Sequence, residues 1–256
     1  MSDLELCWRV EETCRHAWPA LEEIALGDWR LRFADGQSRR ANSVNPIRPT
    51  GGDITALVAF AESEYRSRQL RPIFRLPFFD MRDVIDPGIE RQLAALGYVV
   101  ETECLTPYAP LHPMPMRRDP DVAILPRPDA AWLRALVTMQ GWEAAALGRY
   151  RAIVERLEVP AGFMILNLDG APAAMAYGAV HDGIVCIESV VTAPAQRGRG
   201  HGRRLIGALL AWAIDSGAEG ACLQVDSTNQ PALALYRAMG FSRSLYPYRY
   251  WVRTAQ

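Results

Sequence analysis

Glu188-Ser-Val-Val-Thr-Ala-Pro-Ala-Gln-Arg197-Gly-Arg-Gly-His-Gly-Arg-Arg-Leu205 decides the reading of the chain. It begins as a β-branched run, turns at Pro194, and passes through Gly198, Gly200 and Gly202 into an apolar-periodic helix. A strand that feeds a glycine loop and then a helix presents free backbone N–H groups suited to a phosphate. Glycine permits close approach, and the flanking Arg197, Arg199, Arg203 and Arg204 supply charge-assisted hydrogen bonds. The spacing is not a nucleotide P-loop, since Gly202 precedes Arg203-Arg204 and not Lys-[Ser/Thr]. Nor is it a dinucleotide fingerprint, which needs glycine at position 203. Taken alone, the loop stays open between an anion cradle and a glycine-rich turn with solvated arginines.

Composition narrows the class of partner. Of 256 residues, 50% are hydrophobic and 22% charged, the balance of a soluble globular chain. The formal net charge of −1 gives no global field toward nucleic acid or an anionic membrane, so neither is expected as a partner. No apolar run approaches the ~20 residues of a membrane span. The start, Met1-Ser-Asp-Leu-Glu5, lacks a basic-then-apolar signal, so a cytoplasmic protein is expected. Cys7, Cys14, Cys104, Cys186 and Cys222 are scattered and form no C-x-x-C pair, which predicts reduced thiols, no disulfide framework and no metal site.

Working outward, helical spacing covers residues 4–18 and stops at Pro19. Alternation over 28–33, a turn at 34–36 and a return over 38–47 predict a β-hairpin. Asp53 reads as the N-cap of a helix reaching about residue 68, followed by a strand at 72–76, a helix from Pro87 to Leu96 and a strand at 98–105. Five prolines (Pro107, Pro110, Pro113, Pro115, Pro120) predict a linker over 107–120. Beyond it come a strand at 122–125, helices near 128–140 and 143–157, and strands near 161–168, 171–181 and 183–192. The glycine loop leads to a helix over 199–216, a strand at 221–225, a helix over 229–239 and two closing strands at 241–245 and 248–253. Gln92 to Val99 parallels Tyr236 to Ser242, each with a helix-ending glycine before an aromatic. The order of elements recurs in the two halves. The chain therefore divides into an N-terminal domain of residues 1–106, the linker, and a domain of residues 121–256.

The spacing Arg197-Gly-Arg-Gly200-His-Gly202 resembles the R-x-x-G-x-G/A loop of the GCN5-related N-acetyltransferases. Downstream, Asn229-Gln-Pro-Ala232-Leu-Ala-Leu-Tyr236-Arg-Ala-Met-Gly240-Phe241 is similar to that family's second signature. The resemblance covers roughly residues 120–253, with a degenerate copy before it. It implies the acyl-CoA N-acyltransferase fold: an α/β architecture whose mixed, mostly antiparallel sheet is flanked by helices, here as two tandem halves. It implies acetyl-CoA as donor, CoA as product and no metal. The acceptor it implies is a primary amine, on a small molecule or a peptide. By the same resemblance Gly198, Arg199, Gly200, His201, Gly202 and Arg203, with Arg197, hold the pyrophosphate. Val190, Val191 and Thr192 pair with pantetheine, Asn229 meets the cofactor arm, and Tyr236 is the general acid beside the sulfur.

For the base, strand periodicity puts Glu188 on one face with residues 190 and 192, inside an otherwise apolar run. Desolvation raises a carboxylate's pKa toward neutrality, which suits a base; a structural carboxylate paired with an arginine is the competing reading. Trp142 and Glu143, between two helices, and Tyr248, among the closing aromatics, are candidate acceptor contacts. A lysine-like amine costs about 4.6 kcal/mol to be neutral at pH 7, whereas an α-amine costs about 1. A single base therefore favours the less basic acceptor, or one deprotonated through water. The alternative function is a non-catalytic acyl-CoA-binding sensor, which turnover with an amine panel separates.

Overall fold

The computed structural model of the chain describes residues 3–79, 87–111 and 118–253. His112, Pro113 and Pro115 lie outside the described residues. Helix α1 (Asp3–Ala17) buries Leu6, Cys7, Val10, Cys14 and Ala17 along one stripe. The hairpin forms one strand earlier than alternation suggests: β1 (Glu22–Leu26) pairs antiparallel with β2 (Trp29–Phe33), and β2 pairs in turn with the short β3 (Val44–Pro46). Strand β1 leaves no alternating signal because nearly all of it is exposed on both faces. Residues 34–43 are a loop and not a returning strand. The Asn42 carboxamide oxygen accepts from the N–H groups of Ala34 (2.8 Å) and Gly36 (3.1 Å), and its nitrogen donates to the carbonyls of Gln37 and Ser38.

Helix α2 (Thr55–Ser67) follows, with Asp53 accepting from both the N–H and the hydroxyl of Thr55. Then come β4 (Ile73–Pro77), parallel to β3, helix α3 (Pro87–Ala95) and β5 (Tyr98–Pro110). The second half runs β6 (Val122–Leu125), α4 (Ala130–Gln140), α5 (Ala145–Val154), β7 (Ala161–Leu168), β8 (Ala171–His181) and β9 (Ile184–Thr192). It closes with α6 (His201–Asp215), β10 (Gly220–Leu223), β11 (Val225–Asp226), α7 (Gln230–Ala238) and β12 (Arg243–Arg253). Asp129 caps α4 by accepting from Trp132 N–H at 2.7 Å, and Gly141 ends it at φ 67°, the left-handed conformation a helix C-cap favours.

The described strands form one sheet in the order β1-β2-β3-β4-β12-β5-β10-β9-β8-β7-β6, with β11 paired to β5. Each half repeats one plan: an antiparallel meander, a helical crossover to a parallel strand, a second helix and a last strand. The parallel pairs are β3–β4 and β9–β10. The last strands are exchanged, since β5 pairs with β10 and β12 with β4, while β5 and β12 pair with each other. This is the mixed, helix-flanked sheet of the acyl-CoA N-acyltransferase fold in tandem form.

Two expectations are corrected. The linker at 107–120 begins inside a strand, because Pro107 and Pro110 belong to β5, where they face Ser244 and Gly220, and Thr106 is fully buried. A proline costs the ladder one donor at most, and here β12 and β10 pair on either side regardless. The two closing strands are one, β12, whose register shifts between Ser244 and Pro247. Packing also crosses the boundary at residue 106. Helix α1 lies with α4 and α5 on one face of β8 and β9, while α6 and α7 cover the other. Helices α2 and α3 pack on β2, β4, Tyr98 and Trp251.

Candidate functional site

Strands β9 and β10 run parallel only from Gly220–Ile184 to Leu223–Ile187. Beyond that point β9 continues to Thr192 against β8 alone, while the chain after β10 turns away to pair, as β11, with β5. The two strands thus open into a fork, and among the described residues one edge of 188–192 keeps its backbone polar groups free of a strand partner. Tyr177 faces Glu188 and Met175 faces Val191, leaving Ser189 and Val190 opposite Ala176. Ser189 takes φ 55°, which marks this extra residue as a β-bulge. Its hydroxyl and that of Tyr150 lie 2.9 Å apart.

The bulge overturns one expectation. An extra residue slips the alternation by one, so Glu188 and Val191 share the face of Tyr177 and Met175, whereas Val190 and Thr192 face α6 with Ala174. Glu188 and Thr192 are therefore on opposite faces of the sheet.

The glycine loop follows directly. A 3-10 turn, Pro194–Gln196, leads to Gly198 at φ 74° and Gly200 at φ 81°. Both conformations suit glycine, and a Cβ at either would meet open space. Gly200 is the N-cap of α6, whose first internal bond runs from Arg204 N–H to the Gly200 carbonyl, so the N–H groups of residues 201–203 have no intrahelical partner. Gly202 lets α6 approach its neighbours: a Cβ there would sit 3.3 Å from Leu235 Cδ2 and 3.6 Å from Thr192 Oγ1. Arg197 donates to the Thr192 carbonyl, and Arg197, Arg199 and Arg203 are exposed. Arg204 is instead held by Asp119 and Asp121. The His201 Nδ1 is buried without a hydrogen-bond partner among the described residues. These features fit a phosphate-bearing ligand at the mouth of α6; a hollow of about 440 Å³ beside it is lined by Gly200, Arg203 and Gly207 and, on its other wall, by Asp119, Asp121 and Arg204.

Tyr236 lies on α7, 6% exposed, and its ring packs on Phe241. Burial, with the Glu188 and Cys186 charges behind it, pushes its hydroxyl well above the usual tyrosine range. The group stays protonated and is a donor. Asn229 caps α7, its side-chain oxygen accepting from Ala232 N–H at 3.2 Å, so that oxygen is already engaged.

Glu188 is 3% exposed and gripped by a residue that the sequence did not single out. Arg40 donates through Nη1 to Oε1 at 2.5 Å and through Nη2 to Oε2 at 2.6 Å, and also to Gln224 Oε1 at 3.3 Å. Burial pulls the Arg40 guanidinium down, but Glu188 outweighs it and holds the arginine well above its ordinary value. An unpartnered carboxylate in an apolar run was the premise for a base; both oxygens are in fact taken by a guanidinium. Arg40 is set by the Asn42-built loop and lies over the Trp18 ring. No pattern in the sequence links position 40 to 188.

Of the candidate acceptor contacts, Trp142 is half-buried against Tyr150 and Glu143 is exposed beside it. Tyr248 is buried, with Arg75 over its ring and its hydroxyl 3.5 Å from Gln224 Oε1, so it meets the fork through Gln224. A cavity of about 730 Å³ opens on the α1 side between Trp8, Glu12, His16, Arg48 and Glu158. Glu11 and Arg15 separate it from a hollow of about 10 Å³ that touches Arg40 and Gln224.

Comparison with known proteins agrees with this geometry. The model of a family described as "Probable histone acetyltransferase Rv0428c C-terminal" matches residues 8–251. The uncharacterized N-acetyltransferase YobR of Bacillus subtilis is 27% identical over 239 residues, covering 91% of this chain and 94% of its own. A GCN5-related N-acetyltransferase from Kribbella flavida superposes with a TM-score of 0.70 at 14% identity, over 100% of this chain and 96% of its own. A tandem protein of the same fold from the clavulanic acid biosynthesis pathway superposes with a TM-score of 0.63 at 16% identity, over 87% and 77%.

Proposed function

The chain belongs to the family described as the probable histone acetyltransferase Rv0428c C-terminal domain, within the GCN5-related N-acetyltransferases, and on that premise we propose that it moves acetyl from acetyl-CoA to a primary amine. The observation that carries this reading is the fork: a β9 edge without a strand partner that ends in a glycine loop aimed at the start of α6. Acetyl-CoA, when bound, supplies an activated thioester carbonyl to the amine.

The residues divide the work by chemistry. The N–H groups of 198–203 and the Arg197, Arg199 and Arg203 side chains hold the pyrophosphate. Each charge-assisted hydrogen bond contributes roughly 1.5–3 kcal/mol and the helix start about 0.3–1 more. The free backbone of Val190, Val191 and Thr192 pairs with the amide arm as an added strand would. Asn229 acts first as the cap that fixes α7, and thereby the position of Tyr236. Tyr236, protonated across the neutral and alkaline range, donates a proton to the departing sulfur. Glu188, locked by Arg40, orients the site; removal of the amine's proton falls to solvent. That arrangement favours an acceptor amine of low pKa over a lysine. The acceptor approaches from the α1 side, past Trp142 and Glu143.

Release of CoA thiol from acetyl-CoA in the presence of an amine panel tests the reading. Wild type should turn over with α-amines better than with lysine-like amines. Tyr236→Phe should lose roughly 10²–10⁴-fold in kcat with acetyl-CoA affinity little changed. Binding without turnover on any amine would instead favour a sensor of acyl-CoA.

A further inference from the structure

Outside the fork, three of the five buried cysteines converge. Cys14 comes from α1, Cys186 from β9 and Cys222 from β10, and all three are at most 6% exposed. Their sulfurs lie within 4.8 Å of one another, with Cys14–Cys186 at 3.6 Å and Cys14–Cys222 at 3.9 Å. Sequence spacing hides the group, because 14, 186 and 222 share no local motif.

We propose that Cys14, Cys186 and Cys222 form a three-thiolate site for a divalent thiophilic cation of the zinc class. The separations match the requirement: sulfurs bonded at about 2.3 Å to one ion stand about 3.8–4.0 Å apart in tetrahedral or trigonal geometry. Three thiolates with no imidazole and no free carboxylate select a soft d10 ion over calcium or magnesium. In the metal-free chain the Cys186 thiol donates to Glu188 Oε1 at 3.4 Å, a bond given up with the proton on loading, and Arg40 is paired with that carboxylate beside the thiolates. Cys14 borders a hollow of about 10 Å³, walled also by Arg15, Arg32, Arg40, Arg75 and Gln224, with room for about one water as a fourth ligand. Loading forms three metal–sulfur bonds and releases the thiol protons to solvent. The ion would tie the N-terminal helix to the two strands at the root of the fork.

The test uses full-length protein, reduced with a phosphine, stripped with chelator and titrated with Cd2+ while thiolate-to-cadmium absorption is followed. The expected result is saturation at one equivalent, displacement by Zn2+, and a raised melting temperature. Cys7→Ser/Cys104→Ser, which leaves only the three clustered thiols, should bind as wild type does. Cys14→Ser and Cys222→Ser should each bind roughly tenfold or more weakly. If those single variants fail to fold, the double variant still decides, since any stoichiometric thiolate band in it comes from the cluster. Absence of a saturable band in wild type, its loss in Cys7→Ser/Cys104→Ser, or undiminished affinity in Cys14→Ser would overturn the site.

Discussion

Arg40 and Glu188 meet across 148 residues of chain, and the partners are unequally placed: side-chain exposure is 21% for the arginine and 3% for the glutamate. Removing the arginine strands a buried charge, whereas removing the glutamate leaves an arginine that can reach water. Arg40→Ala should therefore destabilise by about 3 kcal/mol, and Glu188→Gln by clearly less. Urea unfolding checks the order; equal small losses would contradict it. Glu11 and Arg75 form a second buried pair, at 2.6 and 2.7 Å. Burial alone would push the Glu11 carboxyl up, but the Arg75 guanidinium outweighs it and the net shift is down. A depressed folded value means stability that is present above the unfolded value, about 4.3, and lost as pH falls through the folded one. The advantage of wild type over Glu11→Gln should shrink between pH 7 and pH 3. A constant difference would show that Glu11 contributes through shape and not charge.

At the scale of elements, β9, the glycine loop and α6 were legible because each carries a local signal: β-branched residues, left-handed glycines and helical apolar spacing. The bulge at Ser189 was not, since no residue type announces it, and it alone moved Glu188 to the opposite face from Thr192. Asn229 shows how one residue type supports two readings. Its cap bond to Ala232 predicts that Asn229→Ala costs about 1 kcal/mol while Asn229→Asp, also a good cap, costs little. Thermal unfolding of both variants decides; equal losses would point away from the cap. Close packing gives a further expectation. A Cβ on Gly162 would lie 2.7 Å from Trp212 Cε2 on α6, a rigid ring, so Gly162→Ala should destabilise by about 1–3 kcal/mol.

The whole molecule is bound together by features that no local window contains. The halves repeat one plan, which the recurring order of elements revealed. Their exchange of β5 and β12, and the placement of α1 on β8 and β9, depend on pairings between residues more than a hundred positions apart. For the same reason the proline run misled: Pro107 and Pro110 sit in a strand stabilised from both sides. Residues 121–256 expressed alone would lack α1, β5 and Arg40, leaving an apolar sheet face, a strand edge and the Glu188 charge uncovered. That fragment should not give a cooperative unfolding transition, and one that did would mean the second half folds independently.

The central claim, that the fork and loop form an acetyl-CoA site, is tested most directly by calorimetric titration of acetyl-CoA into wild type, Gly200→Asn and Gly200→Asp. Asn and Asp both tolerate the left-handed backbone at φ 81°, so the variants differ chiefly in charge within the anion cradle. Wild type should bind near one equivalent, Gly200→Asn more weakly, and Gly200→Asp not measurably, with circular dichroism unchanged. No binding to wild type, or equal binding by Gly200→Asp, would contradict the account and leave the loop a structural turn.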